Sequence, residues 1–175
     1  NRADADLLID ALHPDHIGAP PTKRESLRLA RNAIWRVHDP RTANGVLVAK
    51  KPVKHHLHKK LLDRLKPSKA RRSWNGTAEL LRRGVDAAAP VAWFEQRSGL
   101  DITQNWYVCD YLDGAESAIS ILSTNPHTPP LPDGVPLDRL YDELTAYLKK
   151  MHDRGIHFRD LSGGNILLRT TCGPD

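Results

Sequence analysis

The stretch Gly155-Ile156-His157-Phe158-Arg159-Asp160-Leu161-Ser162-Gly163-Gly164-Asn165-Ile166-Leu167-Leu168 holds the densest chemistry in this chain. Asp160 precedes Asn165 by five residues, with two glycines between them, and the segment then runs into three apolar residues. Immediately upstream, Leu137, Leu140, Leu144, Tyr147, Leu148 and Met151 recur on one face at helical spacing, predicting a helix over residues 137–154 that Gly155 ends. A short loop pinned between a helix and an apolar strand keeps a carboxylate and a carboxamide close to one ligand. Gly163-Gly164 lets the backbone turn tightly between them. The rival reading is a plain polar turn in which Asp160 and Asn165 cap backbone amides.

Phosphoryl transfer needs this spacing. A carboxylate must take the proton of the attacking hydroxyl, and an amide one loop later must turn back to hold magnesium on the phosphates. The pattern Gly-Ile-x-x-Arg-Asp-Leu-Ser-x-Gly-Asn-Ile-Leu resembles the catalytic loop of bacterial lipopolysaccharide (Kdo/heptose) kinases. A second block, Leu65-Lys66-Pro67-Ser68-Lys69-Ala70-Arg71-Arg72-Ser73-Trp74 continuing to Leu80-Leu81-Arg82-Arg83-Gly84-Val85, resembles that family's segment after its strand lysine. Pro90-Val91-Ala92 and Glu95 extend the likeness, which covers residues 31–168.

The resemblance implies an α+β, bilobal, protein-kinase-like fold. A lead-in over residues 1–25 would precede an antiparallel-sheet N-lobe over 26–113 and an incomplete helical C-lobe over 114–175. It implies an ATP- and Mg2+-dependent phosphotransferase acting on a sugar hydroxyl of a lipopolysaccharide-type glycolipid. Asp160 would be the catalytic base with Arg159 beside it, and Asn165 a magnesium ligand. Two departures matter. Phe158 stands where protein kinases place a histidine, leaving His157 to brace the loop from one residue earlier. Ser162 stands where serine/threonine kinases carry a lysine, which favours a small-molecule or lipid-linked acceptor over a protein.

An ATP site also needs a cation fixed on a strand. Residues 26–37 and 45–51 read as a hairpin around the turn signals His38-Asp39-Pro40 and Asn44-Gly45. Alternation puts Lys50 and Lys51 on opposite faces of its second strand. A protein-kinase match would choose Lys51, and the lipopolysaccharide-kinase resemblance, counted back from Pro67, favours Lys50. Both could equally be solvent-facing lysines ending a strand. The helix acid that holds such a lysine is replaced by Ser73-Trp74, and Glu79 reads as an ordinary surface acid. No glycine lies between Gly18 and Gly45, so backbone amides near Arg31-Asn32 would cover the phosphates, with Arg31 helping. Adenine would lie against the strand at residues 107–112, bonding to backbone around Asp110 to Leu112. For Trp106, Tyr107 and Tyr111, packing in the lobe core is an equal reading.

Elsewhere, Ala5 to Leu12 form a short amphipathic piece before a breaker-rich stretch, and Pro67-Ser68 opens a helix running to Arg83 with Gly84 as its cap. Residues 90–95 and 106–111 read as strands around a turn at 97–101, and residues 117–136 read as a Ser-, Thr- and Pro-rich loop. Of the 175 residues, 39% are hydrophobic and 27% charged, as in soluble globular proteins. Apolar runs are too short to span a bilayer, and no basic stretch followed by an apolar one reads as a secretory signal.

The chain begins at Asn1, and its single methionine is Met151, so its start is expected to be missing. It is also expected to stop before the second metal-binding carboxylate of a kinase, leaving this fragment poorly active or inactive. Cys109 and Cys172 lie far apart, indicating no disulfide and a reducing cytoplasm.

Net charge is +5, concentrated in residues 50–72, where Lys54, Lys59, Lys60, Arg64, Lys66, Lys69 and Arg71 face only Asp63. Leu57, Leu61, Leu62 and Leu65 suggest a helix there. Such a run, from Lys50 to Arg72, could meet an anionic membrane surface, placing the protein on the inner membrane face. It could as well be a solvated lysine face. It lacks aromatics, so nucleic acid is not expected as a partner. His55, His56 and His58 have no acidic or thiol neighbour to complete a metal site. Alternatives to the sugar kinase are a catalytically idle kinase-fold module that binds nucleotide or a partner, and a protein Ser/Thr kinase.

Overall fold

A computed structural model describes residues 2–18, 22–53, 66–124, 135–158 and 161–169. The helix expected around Leu57 to Leu65 and the histidines at 55, 56 and 58 lie outside the described residues, as do Arg159 and Asp160. The fold is α+β, and the chain divides into two compact units, residues 1–82 with 86–111 and residues 83–85 with 112–175.

The first unit is built on a five-stranded antiparallel sheet in the order β1-β2-β3-β5-β4. Its strands are β1 (Arg28–Leu29), β2 (Asn32–His38), β3 (Val46–Pro52), β4 (Pro90–Ser98) and β5 (Asp101–Asp110). The expected β2–β3 hairpin is present, in register from Asn32 opposite Pro52 to His38 opposite Val46. The β4–β5 hairpin is longer than the apolar residues alone indicate. Polar side chains at Gln96 and Gln104 bond across it, Nε2 of Gln104 donating to Oε1 of Gln96 at 3.0 Å, which carries the ladder toward the tip.

Alternation sorts the sheet into two faces. Ala33, Trp35, Leu47, Ala49, Trp106 and Val108 form one buried cluster with Leu12, and Leu8, Ile17 and Phe94 pack against it. Leu12 follows the helix α1 (Arg2–Ala11), and Ile17 ends the short helix α2 (Pro14–Ile17). The segment read from sequence as a lead-in therefore supplies a core residue. Burying a leucine of this kind contributes about 2 kcal/mol.

The opposite face meets α3 (Lys69–Arg82), which starts where Pro67-Ser68 signalled. Ser68 Oγ accepts from the Arg71 amide at 3.0 Å, satisfying an N–H that has no partner within the helix. Two side chains of the sheet satisfy others. Asn105 Oδ1 accepts from the Ala70 amide at 3.1 Å, and Glu95 Oε1 from the Ser68 amide at 3.3 Å. Further along, Tyr107 Oη donates to Thr77 Oγ1 at 3.1 Å.

The second unit holds β6 (Glu116–Ser117), α4 (Ala118–Thr124), α5 (Leu137–Asp153), a 3-10 turn (Gly163–Asn165) and β7 (Leu167–Leu168). The reading of residues 117–136 as loop is corrected at its start. Ala118 and Ile121 are buried, so the apolar residues of Ala-Ile-Ser-Ile-Leu have a core to enter and fold as a helix. In α5, Met151 is 2% exposed, and Leu137, Leu140, Leu144, Tyr147 and Leu148 are half-buried, as their spacing requires. The helix ends with paired bonds, the Gly155 amide to His152 O at 2.8 Å and the Ile156 amide to Met151 O at 3.1 Å. That closure puts Gly155 at φ +72°, where a side chain would be strained.

Candidate active site

The first unit separates the two strand lysines. Lys50 pairs with Ile34 on β2 and Tyr107 on β5, so it lies on the α3 face with Val48 and Cys109. Lys51 lies on the other face. Its ammonium sits 4.5 Å from the centroid of the Trp106 ring and donates to Gln104 Oε1 at 2.7 Å. Burial pulls the Lys51 ammonium below its ordinary pKa. A lysine packed onto an indole and tied to an amide is a structural group. Lys50 instead works on its neighbours. Burial pushes the Cys109 thiol up to about 11, and the Lys50 charge pulls it back. Cys109 is a free thiol.

Arg31 lies in the tight turn between β1 and β2, where Leu29 faces Ala33. Its carbonyl accepts from the Val53 amide at 3.1 Å, which fixes the turn beside the end of β3. Lys50 and Arg31 therefore share one end of the sheet, roughly 10 Å apart along the strand direction.

Asp110 closes β5 at the opposite end. Its side chain is opposite Leu47, on the α1 face, with Oδ1 3.9 Å from Arg41 Nη2, and its amide donates to Ala89 O at 2.9 Å. Neither group leaves Asp110 as a side-chain ligand on the Lys50 face, so any part it plays there falls to backbone. Leu112 begins the second unit, and its carbonyl accepts from the Ala115 amide at 3.1 Å. Trp106 and Tyr107 are buried packing residues at 1% and 6% exposure. Burial raises the Tyr107 phenol above its ordinary pKa, so it stays neutral and bonds to Thr77.

Arg36 escaped the sequence reading. It shares the Lys50 face, opposite Val48, and its guanidinium lies 4.7 Å from the centroid of the Tyr111 ring while Nη2 donates to Tyr111 Oη at 2.6 Å. The signal that could have found it is the alternation along β2, which puts Arg36 two residues from Ile34 and so on the face of Lys50. On α3, Glu79 is held by Arg82 through bonds of 2.7 and 2.8 Å, as expected of a surface acid.

In the second unit, the loop motif is reached through Asn165, which lies in the exposed 3-10 turn with its amide bonded to Ser162 O at 2.8 Å. Gly163 and Gly164 lie in the 3-10 turn, and neither has a positive φ. A Cβ on Gly163 would come within 3.0 Å of the Ile119 amide nitrogen. Gly163 allows close approach to α4, whose Ala118 amide in turn bonds to the carbonyl of Ile166, the residue that closes the 3-10 turn, at 2.9 Å. His157 stacks on His152 with ring centroids 5.4 Å apart, so it leans on the end of α5.

Among the described residues, no group of histidine, cysteine or acidic side chains is arranged to hold a metal ion. Asn165 contributes a carboxamide oxygen, a hard donor suited to magnesium. Such an ion takes most of its remaining ligands from phosphates and water.

Residues 24–174 match the model of the lipopolysaccharide kinase (Kdo/WaaP) family. No curated protein matches the chain.

Proposed function

The chain belongs to the lipopolysaccharide kinase (Kdo/WaaP) family, and from that membership we propose that it transfers the γ-phosphoryl group of ATP to a sugar hydroxyl of a lipopolysaccharide-type glycolipid. The family is one of kinases, a class that draws its phosphoryl group from a nucleoside triphosphate. The observation that supports the reading is the separation of the two strand lysines, Lys51 packed on Trp106 and Lys50 on the opposite face, with the Arg31 turn beside the same end of β3.

In this reading Lys50 and Arg31 hold the phosphate chain, and backbone near Asp110 and Leu112 receives the base. Asp160, aided by Arg159, takes the proton of the acceptor hydroxyl. Asn165 is the residue that would hold magnesium, which when bound neutralises charge building on the phosphates. The basic run over residues 50–72 draws the protein to the anionic headgroups around its acceptor, on the cytoplasmic side of the inner membrane. Among the described residues, no helix is long and apolar enough to cross a membrane.

Ser73 at the position of the helix acid, with Glu79 engaged by Arg82, favours a second reading, an idle module that binds nucleotide without turnover. One experiment separates them. The intact protein is incubated with ATP, magnesium and purified inner-core glycolipids, and the products are weighed by mass spectrometry for gain of a phosphoryl group. Asp160→Ala is expected to cut transfer by roughly 10^2- to 10^4-fold while ATP still binds. Wild-type turnover by that variant would refute Asp160 as the base. ATP binding with no transfer to any sugar acceptor would favour the idle module.

A further inference from the structure

The face of β2 and β3 that carries Lys50 has an order along it. From the end beside Arg31 it reads Ile34 with Lys50, then Arg36 with Val48, and it finishes where β5 gives way to Tyr111. A nucleotide laid with its phosphates at Lys50 and Arg31 reaches Arg36 one strand step later, roughly 7 Å along. That step is the span from phosphate chain to base. Arg36 stands beside Ile34 and opposite Val48 on this face, and a guanidinium covered by a base there costs desolvation unless another group holds it.

The side chain is already organised. Its guanidinium lies 4.7 Å from the Tyr111 ring centroid, and Nη2 donates to Tyr111 Oη at 2.6 Å, which restrains the plane. The residue as a whole is exposed. A planar, weakly hydrated cation held by one aromatic ring can offer a stacking surface to a second π system. We propose that Arg36, positioned by Tyr111, stacks on the purine base of the nucleotide and sets the preference for purine over pyrimidine triphosphates. The inference rests on the nucleotide reading of the Lys50 face given above and adds the residue that recognises the base.

Titration calorimetry on the intact protein with magnesium tests it, using ATP, GTP, CTP and inorganic tripolyphosphate as probes. Tripolyphosphate reads the phosphate-binding end alone. Wild type is expected to bind ATP and GTP more tightly than CTP. Arg36→Met should weaken both purine nucleotides about tenfold and leave tripolyphosphate within about twofold. Arg36→Lys, which keeps the charge and loses the plane, should behave like Arg36→Met for the purines. Tyr111→Phe should give a smaller loss of the same kind.

Equal weakening of ATP and tripolyphosphate by Arg36→Met would reduce Arg36 to a diffuse charge and overturn the proposal. So would wild-type ATP affinity in that variant, while Lys50→Met still lost both ligands. If wild type bound neither ATP nor tripolyphosphate, the nucleotide reading itself would fall, and this inference with it. Arg36 is exposed, and coincident thermal melts of the variants would show that the fold is unchanged.

Discussion

Lys50 and Lys51 are adjacent, identical in charge, and on opposite faces of one strand, and the two faces hold their helices by different physics. On the Lys51 face, α1 and α2 bring Leu8, Leu12 and Ile17 onto a buried cluster that includes Trp35, Leu47 and Trp106. Apolar packing of that kind is strong and tolerant in angle. On the Lys50 face, α3 is tied by directional bonds, from Asn105 and Glu95 to its first turn and from Tyr107 to Thr77. Bonds of this kind add little net stability each, about 1 kcal/mol, but they fix position. The face that stabilises the sheet and the face proposed to hold a nucleotide are thus built from different materials.

The sharpest way to break this contrast is to change each lysine to methionine in turn. Lys50→Met is expected to lower phosphoryl transfer by about two to three orders of magnitude with little change in melting temperature. Lys51→Met should do the reverse, keeping transfer within a few-fold and moving the melting temperature as Nζ leaves Trp106 and Gln104. Parallel measurement of turnover and thermal melts decides it. Equal loss of turnover in both variants would erase the distinction between the faces.

Sequence alone made much of this contrast legible. Alternation along Val46 to Lys51 predicted that the two lysines diverge, and the Pro67-Ser68 pair marked the start of α3. Periodicity foresaw α5 almost to the residue, because six apolar positions on one face leave a helix no other register. What stayed hidden depends on partners distant in sequence. Leu12 looks like part of a short lead-in until Trp35 and Leu47 are beside it. Ala118 to Leu122 was hidden by Ser120 within it, by Ser117 and Ser123 on either side, and by the prolines that follow. Gly163 was read for a tight turn, and its lack of a side chain also serves contact with Ile119, more than forty residues away. Arg36 was passed over because a lone strand arginine looks like a surface charge, and only Tyr111 gives it an orientation.

On the packed face, Leu12→Ala tests whether residues read as a lead-in stabilise the first unit. Leu12 is 1% exposed, and removing its side chain should cost about 3 kcal/mol by urea unfolding, transfer and cavity terms together. A loss under about 1 kcal/mol would mean that the α1 segment does not belong to the cooperative core. On the tethered face, Asn105→Ala strands the Ala70 amide in a buried site and should cost about 2 kcal/mol. Unlike Leu12→Ala, it should also raise the KM for ATP, because α3 would be held less firmly against the strand that carries Tyr107. A KM unchanged in Asn105→Ala would show that α3 does not position that face.

The smallest effect is the most specific. Burial raises the Glu95 carboxyl, but bonds from Ser68 and Arg97 outweigh it and hold the group below the 4.5 of a free glutamate. A carboxyl depressed in the folded state adds stability that is present above 4.5 and lost as pH falls through the lower folded value. Glu95→Gln keeps an oxygen for the Ser68 amide but gives up the charge that Arg97 Nη2 meets at 2.9 Å. The variant should therefore be less stable by about 1 kcal/mol at pH 7. That difference should close as both proteins are melted at successively lower pH, down to about pH 3. A gap that stayed constant from pH 7 to pH 3 would show that Glu95 holds α3 by shape alone, with its ionised form adding nothing to the Lys50 face.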